Sequence, residues 1–429
     1  MPEEKRIVIT GMSVNTPLGD TLDVFLQNLY QGNSAITAWK GLDSSKIACK
    51  IGGDLSEYDV KAKTSLLQEQ IPADLARRLP RLVRNSPWPA QLSILLAVAA
   101  FLDADLLNLS VDPTRVAAII GGHNLNEHYN QKNWSNFVED PDNSDVALVI
   151  KGADSDHAGC VAEIINSQGP IYTNGGACAS GNIALRSALS EIRYHGMNLA
   201  LVLSPPHDVS PATLHSLAQI GALSYLSFNE NPAKASRPFD TAREGFVFCQ
   251  GGGALVLEEL GHALARGAHI YAEVLGVEVN SVASRSPNPS EEHEARVMEQ
   301  LLHSTGVHRE EIDFVSAHAT STPQGDLAEI RAIKSVFGDH AAKLKINAPK
   351  SIIGHCYCAA AVVETIAAVL QMQAGRLHAS INIDNLDPEI DLNVCANQPV
   401  EHQVRYLVKN AFGFGGINTA SLIHRFEDK

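Results

Sequence analysis

The sequence has little positive charge for its size. It contains 33 Lys and Arg residues against 48 Asp and Glu residues, which gives a formal net charge of −15 over 429 residues. Nucleic-acid binding needs a basic surface that neutralises phosphates. The composition therefore excludes a nucleic-acid partner, although an acidic protein could still dock on a local basic patch.

Long hydrophobic runs and a disulfide framework are also missing. The longest apolar run, residues 94–102, is too short to cross a bilayer. The first six residues, MPEEKR, lack the basic start and apolar stretch of a secretory signal. Seven scattered cysteines are an odd number and do not resemble a disulfide framework. We expect a cytoplasmic protein with reduced thiols and no membrane association.

The remaining composition favours a large core. Hydrophobic residues make up 45% of the chain and charged residues 19%. Apolar strand-like segments alternate with helical ones, which indicates an α/β fold with largely parallel sheets. The alternation of strand-like and helical segments begins again near residue 260, so we predict two closely packed halves, residues 1–260 and 261–429. A functional site between them is the default expectation.

The most informative segment surrounds Cys178, in residues 174–181 (NGGACASG). Small residues pack around one thiol, and a helix is predicted to begin directly after it. The N–H groups and dipole of a helix start favour a thiolate, but the dipole contributes only about 0.3–1 kcal/mol. Activation therefore requires a further partner, and the chain offers His318 and His355.

Three other segments carry unusual chemistry at the ends of predicted strands: residues 316–326 (SAHATSTPQGD), 350–355 (KSIIGH) and 410–418 (NAFGFGGIN). Taken singly, each has an ordinary structural interpretation, such as a core cysteine, a hydrogen-bonded histidine or a tight glycine turn. Because α/β proteins build sites at the carboxyl ends of strands, the four segments together predict one site.

These motifs identify a family resemblance that covers nearly the whole chain. RIVITGM, GACASG, RPFDTAREGFV, HATSTPQGD, PKSIIGH and NAFGFGGIN occur in the order and spacing of the elongating β-ketoacyl synthases. The resemblance implies a thiolase-like fold, with two βαβαβ-type halves packed in five layers (αβαβα). It also implies an acyltransferase that performs decarboxylative Claisen condensation of an acyl thioester with a malonyl carrier protein, in fatty-acid or polyketide synthesis.

By position, the resemblance also implies roles for individual residues. Cys178 matches the acyl-accepting nucleophile, and His318 and His355 match the pair that assists decarboxylation. Lys350 matches the family lysine, with Glu329 as its expected charge partner. Residues expected to form the oxyanion hole and gate are Cys178, Phe414, Gly413 and Gly415. Residues expected to contact the substrate are Thr320, Thr322, Leu217 and Phe412.

The resemblance further implies a homodimer, or a heterodimer with a related subunit, that works on an acyl carrier protein. No metal or organic cofactor is expected, since phosphopantetheine arrives on the carrier. His355, Cys356 and Cys358 could suggest metal ligands, but without a second cysteine pair core packing is favoured. Four arginines recur at helical spacing and could receive an acidic carrier, namely Arg77, Arg78, Arg81 and Arg84. A plain solvated helix face, interrupted by Pro80, is the slightly favoured interpretation.

Some positions depart from the family pattern. Cys358 and Ala361 replace glycines, Leu217 replaces a common gating phenylalanine, and Gln250 replaces a glutamate. Other features resemble stand-alone synthases of polyketide pathways, some of which only decarboxylate malonyl carriers and commonly carry Ser at the nucleophile position. Two alternatives to condensation therefore stay open: a malonyl-carrier decarboxylase and a non-catalytic partner subunit that sets chain length. The presence of Cys178 favours condensation.

Overall fold

The computed structural model describes residues 5–427, so the first four of the six N-terminal residues considered for a leader lie outside it. Its strands are β1 (Ile7–Asn15), β2 (Thr37–Ala38), β3 (Ile51–Gly52), β4 (Val116–Gly121), β5 (Ile171–Asn174), β6 (Leu199–Ser204), β7 (Gly252–Glu259), β8 (Ala272–Ser281), β9 (Phe314–Ser316), β10 (Lys345–Asn347), β11 (Arg376–Leu377), β12 (Val400–Glu401), β13 (Tyr406–Gly413) and β14 (Ile417–His424).

Its helices are α1 (Leu22–Gln31), α2 (Val60–Gln68), α3 (Ala73–Asn85), α4 (Trp88–Asp103), α5 (Glu127–Glu139), α6 (Leu148–Lys151), α7 (Ser155–Ile165), α8 (Ser180–Tyr194), α9 (Pro211–Gln219), α10 (Leu260–Ala265), α11 (Glu291–Thr305), α12 (Pro323–Phe337), α13 (Lys350–Ile353) and α14 (Ala360–Ala374).

Ten of these strands form one continuous sheet in the order β10-β9-β13-β14-β8-β1-β7-β6-β4-β5. Five of them precede residue 260 and five follow residue 271. Each set ends in three parallel strands, β6-β4-β5 and β13-β9-β10, whereas the central strands pair antiparallel. The predicted parallel sheet is therefore parallel only in its outer thirds.

The layers follow from three apolar clusters. The central cluster joins α8 and α14 to strands of both halves, so these two helices lie between the half-sheets. A second cluster packs α4 and α7 on the outer face of the first half. A third packs α11 and α12 on the outer face of the second half. The order helix, sheet, helix, sheet, helix gives the five layers expected from the sequence.

The helix α14 ends an apolar segment that is long enough to cross a membrane but is buried inside this protein. Residues Tyr357–Ala374 have the length and apolarity of a membrane-crossing segment, but 78% of the segment is buried inside the protein. A helix that is hydrophobic all round belongs in the middle of a large protein. In this fold, α14 fills the layer between the two half-sheets.

Two regions differ from the sequence-based expectation. Residues 40–75 contain many turn residues and few periodic segments, which favours irregular structure, yet they contain α2, whose N-cap Asp59 accepts a hydrogen bond from the backbone N–H of Ala62. Pro80 was expected to interrupt the arginine-bearing helix, yet α3 continues through it. Leu75, Leu79 and Val83 are buried along one face of α3, and this packing compensates for the backbone hydrogen bond that proline cannot make.

Candidate active site

The nucleophile loop begins where β5 ends. Ala177–Ala179 form a short 3₁₀ turn directly before α8, and Ala177 has φ of +48°. The Ser180 hydroxyl accepts a hydrogen bond from the backbone N–H of Gly176 (2.9 Å) and donates one to the Ala177 carbonyl (2.6 Å). These bonds hold a backbone conformation that a non-glycine residue rarely adopts. They fix Cys178 at the start of α8.

The second half contributes the remaining groups. His318 follows β9, Lys350 begins α13 after β10, and β13 ends at Gly413. The strands β9, β10 and β13 are parallel neighbours, so their carboxyl ends meet at one edge. An ideal Cβ on Gly413 would lie 2.5 Å from the Gly176 carbonyl oxygen. This close approach brings the edge against the Cys178 loop and requires glycine.

The result is a cavity of about 410 Å³ between the two halves. Its walls contain most of the residues expected from the sequence, namely Cys178, His318, His355, Thr320, Thr322, Phe412, Gly413, Phe414 and Glu329. The Thr320 and Thr322 hydroxyls lie 3.0 Å apart and bond to each other. One sulfur and two imidazoles from distant parts of the chain therefore line the same cavity.

Leu217 is the exception among the expected substrate contacts. The cavity wall does not include it. Leu217 is 7% exposed and belongs to an apolar cluster against which Phe414 packs. The Leu217 side chain lies in the packing around Phe414 rather than in the cavity wall, so a substrate contact at Leu217 stays a prediction.

The expected pairing of Lys350 with Glu329 is wrong. The Lys350 ammonium lies 2.6 Å from Oε1 of Glu364, a residue of α14 that the sequence analysis did not single out. Glu329 instead accepts the backbone N–H groups of His318 and Ala319, at 2.8 and 2.7 Å, and the Asn410 side-chain amide at 2.9 Å. It supports the His318 loop rather than the lysine. Glu364 is the only charged residue in the apolar run 359–370, and this isolated carboxylate is the feature of the sequence that could have pointed to it.

Lys409 is a second ammonium on the same carboxylate. It is fully buried on β13, and its Nζ lies 2.8 Å from Oε2 of Glu364. Burial lowers the pKa of Lys409, an effect that the charge of Glu364 opposes. Glu364 therefore connects Lys350 and Lys409, and the charges of both lysines act on the two imidazoles. A charged residue within the buried strand YLVKN was the sequence signal for Lys409.

The hydrogen-bond network fixes how the imidazoles carry their protons. The Lys350 ammonium donates to the His318 carbonyl (2.6 Å) and lies 3.4 Å from His318 Nδ1. The backbone N–H of Tyr357 donates to Nδ1 of His355 (3.1 Å). Each Nδ1 thus faces a donor, which assigns the proton of a neutral ring to Nε2. Nε2 of His355 is buried without a partner among the described residues.

Both rings are neutral at physiological pH. Burial, reinforced by the nearby Lys350 ammonium, places the pKa values of His318 and His355 well below the ordinary range. The ring centroids are 5.6 Å apart, with the planes nearly perpendicular. The pair can therefore offer two uncharged N–H donors to an oxygen that develops negative charge in the cavity.

The thiol is also neutral at rest. Burial and the neighbouring Cys358 thiol raise the pKa of Cys178 to about 12, against the opposing effect of Lys350. The dipole of α8 contributes less than about one pKa unit. Burial outweighs the helix start, in agreement with the expectation that the dipole alone is too weak to ionise this thiol.

The arginine set lies elsewhere. Arg77, Arg78, Arg81 and Arg84 are exposed on one face of α3, and Asp74 pairs with the first two. None of the four lines the cavity.

Comparison with known proteins identifies the family. The "Beta-ketoacyl synthase, N-terminal domain" model matches residues 4–263, and the corresponding C-terminal domain model matches residues 271–384. The chain belongs to the β-ketoacyl synthase family. It is 33% identical to chloroplastic 3-oxoacyl-[acyl-carrier-protein] synthase I of Arabidopsis thaliana, covering 99% of this chain and 87% of that protein. It is 30% identical to 3-oxoacyl-[acyl-carrier-protein] synthase 2 of Synechocystis, covering 99% of each.

Solved ketosynthase structures share the fold. One, a type II polyketide ketosynthase in complex with its acyl carrier protein and bound to the hexaketide, aligns with a TM-score of 0.88 at 26% identity, covering 99% of this chain and all of that one. The ishigamide ketosynthase/chain length factor aligns with a TM-score of 0.87 at 27% identity and the same coverage. The chain is thus a thiolase-like ketosynthase and an acyltransferase-type enzyme.

Proposed function

We propose that this ketosynthase joins an acyl group held on Cys178 to a malonyl unit on an acyl carrier protein, with loss of CO₂. The observation that carries the proposal is the shared cavity, in which a thiol faces two neutral imidazoles that present Nε2–H groups. That set of groups suits one acyl transfer followed by one enolate-forming step.

In the first step the Cys178 sulfur attacks the carbonyl carbon of an acyl thioester. The carrier sulfur leaves, and the thiol proton of Cys178 passes to it, so that a free carrier thiol and an acyl-Cys178 thioester result. The N–H groups of Cys178 and Phe414 are the donors proposed for the tetrahedral oxyanion. Gly413 and Gly415, which flank Phe414, allow this backbone to approach and the ring to move.

In the second step the malonyl carboxylate leaves as CO₂ and its electron pair forms a thioester enolate. His318 and His355 donate their Nε2–H groups to the enolate oxygen. The enolate carbon attacks the acyl-Cys178 carbonyl, and the released sulfur takes up one proton to restore the thiol. Because both rings are neutral, they stabilise the enolate without the acidity that would protonate its carbon.

Incubation with an acyl carrier and a malonyl carrier, followed by mass analysis of the carriers, tests the proposal. Condensation gives a 3-ketoacyl carrier and one free carrier per CO₂. Acetyl carrier as the sole product, formed equally by Cys178→Ala, would instead indicate the decarboxylase alternative. No change in either carrier would indicate the non-catalytic partner.

The proposed protein partner is an acyl carrier protein, and the proposed docking surface is the arginine face of α3. Its four exposed cations suit an acidic partner. The variant Arg77→Glu with Arg81→Glu should raise KM for carrier-bound substrate and leave small thioesters unaffected. Arg405→Glu, an exposed change at the opposite end of β13 from Gly413, is the matched control. Equal loss with both substrate types would reject this surface.

A homodimer and a cytoplasmic location complete the proposal. The strand β5 forms one edge of the sheet, and large apolar side chains are exposed on nearby α5 and α6, including Trp134 and Val149. A second copy of this chain is proposed to cover this face.

The seven cysteines are all unpaired, which agrees with the proposed cytoplasmic location, a reducing compartment.

A further inference from the structure

Glu294 is an unexplained acid in the wall of the active-site cavity. It lies in the first turn of α11, lines the cavity together with Cys178 and His318, and is only 1% exposed. Its Oε2 has no hydrogen-bond partner among residues 5–427. Buried polar atoms in native proteins are nearly always bonded. An orphaned carboxyl oxygen in a substrate cavity points to a group that the substrate supplies.

The neighbouring carboxyl determines the protonation of Glu294. Glu329 uses its oxygens to accept three N–H groups. Burial and the nearby Glu329 raise the pKa of Glu294 well above its ordinary range, and the backbone N–H of Ser290 only partly offsets them. Glu294 is therefore a neutral acid at physiological pH, with one O–H donor and one carbonyl acceptor.

The O–H donor and carbonyl acceptor of neutral Glu294 limit the chemical class of the ligand that it can bind. The malonyl carboxylate, the anionic group of the proposed substrate, would be repelled by the Glu329 carboxylate next to Glu294, so a neutral group of the substrate is the favoured partner of Glu294. A secondary amide offers a carbonyl to accept the O–H and an N–H to meet the carbonyl. The phosphopantetheine arm of a carrier-borne thioester contains such amides and must enter this cavity to reach Cys178.

We propose that Glu294 binds an amide of the incoming pantetheine arm, with its carboxyl O–H donated to the amide carbonyl. The role is that of a specificity-determining residue, which distinguishes amide-bearing arms from simple thioesters. The inference rests on the proposed function, since it assumes that the substrate arrives on such an arm.

Steady-state kinetics on two malonyl thioesters test the role. One is malonyl-pantetheine, and the other is the malonyl thioester of ethanethiol, which lacks amides. Glu294→Leu should raise KM for malonyl-pantetheine about tenfold, with kcat changed less than twofold, because a contact present equally in ground and transition states affects KM alone. The same variant should leave KM for the amide-free thioester unchanged.

Two variants serve as controls. Glu294→Gln keeps an N–H donor of similar size and should stay within about threefold of the parent KM. Glu299→Leu changes an exposed acid on the same helix and should change neither parameter. An equal KM increase for both thioesters, or none for either, would overturn the role of Glu294. Mass detection of acylated Cys178 in the same samples reports the proposed function independently.

Discussion

At the residue scale, the reactive groups of the site are uncharged and lie next to a cluster of buried charged side chains. The thiol and both imidazoles are uncharged, whereas Lys350, Lys409 and Glu364 form an ionic cluster whose Lys350 lies next to His318. Each charge-bearing group in that cluster is at most 3% exposed. Because such charges are tolerated only when paired, the cluster is where single changes should have the largest effects.

The pH dependence of Cys178 alkylation follows from its burial. Since the pKa of the free-enzyme thiol is raised to about 12, the thiolate fraction increases tenfold for each pH unit below that value. Iodoacetamide should therefore modify Cys178 about tenfold faster per unit between pH 7 and 9, with no plateau. A rate that levels off near neutrality would show that the resting thiol is already ionised.

Replacement of Glu364 tests the ionic cluster. Glu364→Gln leaves two buried ammoniums without their carboxylate, so we expect it to lower the free energy of unfolding by about 3–5 kcal/mol. Glu401→Gln removes an exposed partner of Arg376, and we expect a loss below about 1 kcal/mol. Urea denaturation of both variants measures the difference, and similar small losses would contradict the account.

At the element scale, the segments that converge on the cavity come from different halves of the sheet. The strands β9, β10 and β13 deliver three of them, and the loop after β5 delivers the fourth. The contact between Gly413 and the Cys178 loop joins the two halves at the site. The spacing between nucleophile and imidazoles therefore depends on a backbone approach that tolerates no side chain.

Gly413→Ala should disrupt this approach. The added Cβ would meet the Gly176 carbonyl oxygen at 2.5 Å, so β13 or the Cys178 loop must move. We expect kcat to fall at least 100-fold, since a shift of about 1 Å in a catalytic arrangement has effects of that order. The control is Gly159→Ala in α7, where a Cβ meets nothing within 4 Å. That variant should keep full activity, and equal activity of both variants would contradict the account.

The sequence predicted the elements better than the contacts between their side chains. The alternation of apolar segments predicted an α/β fold, because the spacing of hydrophobic residues along the chain reflects which faces of the strands and helices are buried. The sequence predicted the helix α8 directly after Cys178, but not the contacts that α8 makes with α14 between the two half-sheets. The motif spacing located the Cys178 loop and both histidines. It could not assign Glu364 to Lys350, since that contact depends on how α14 packs against α13.

At the scale of the whole molecule, one edge of the sheet determines the expected assembly. The helices α5 and α6 and the edge strand β5 expose large apolar side chains of a kind that a monomer rarely presents to water: Trp134, Phe137, Val149, Ile150 and Ile171. Light scattering should give twice the 46.0 kDa mass of one chain. The double variant Trp134→Lys with Ile171→Lys should give the single-chain mass, and a monomeric parent protein would contradict the proposed dimer.

The central claim is that Cys178 carries the acyl group between the two steps. The most direct measurement is a single-turnover chase in which the protein is acylated from an acyl carrier, separated from it, and mixed with malonyl carrier. Intact-mass analysis should show one acyl adduct, mapped to Cys178, that disappears as an equal amount of 3-ketoacyl carrier forms. CO₂ release that leaves the adduct in place, or condensation that persists in Cys178→Ala, would contradict the account.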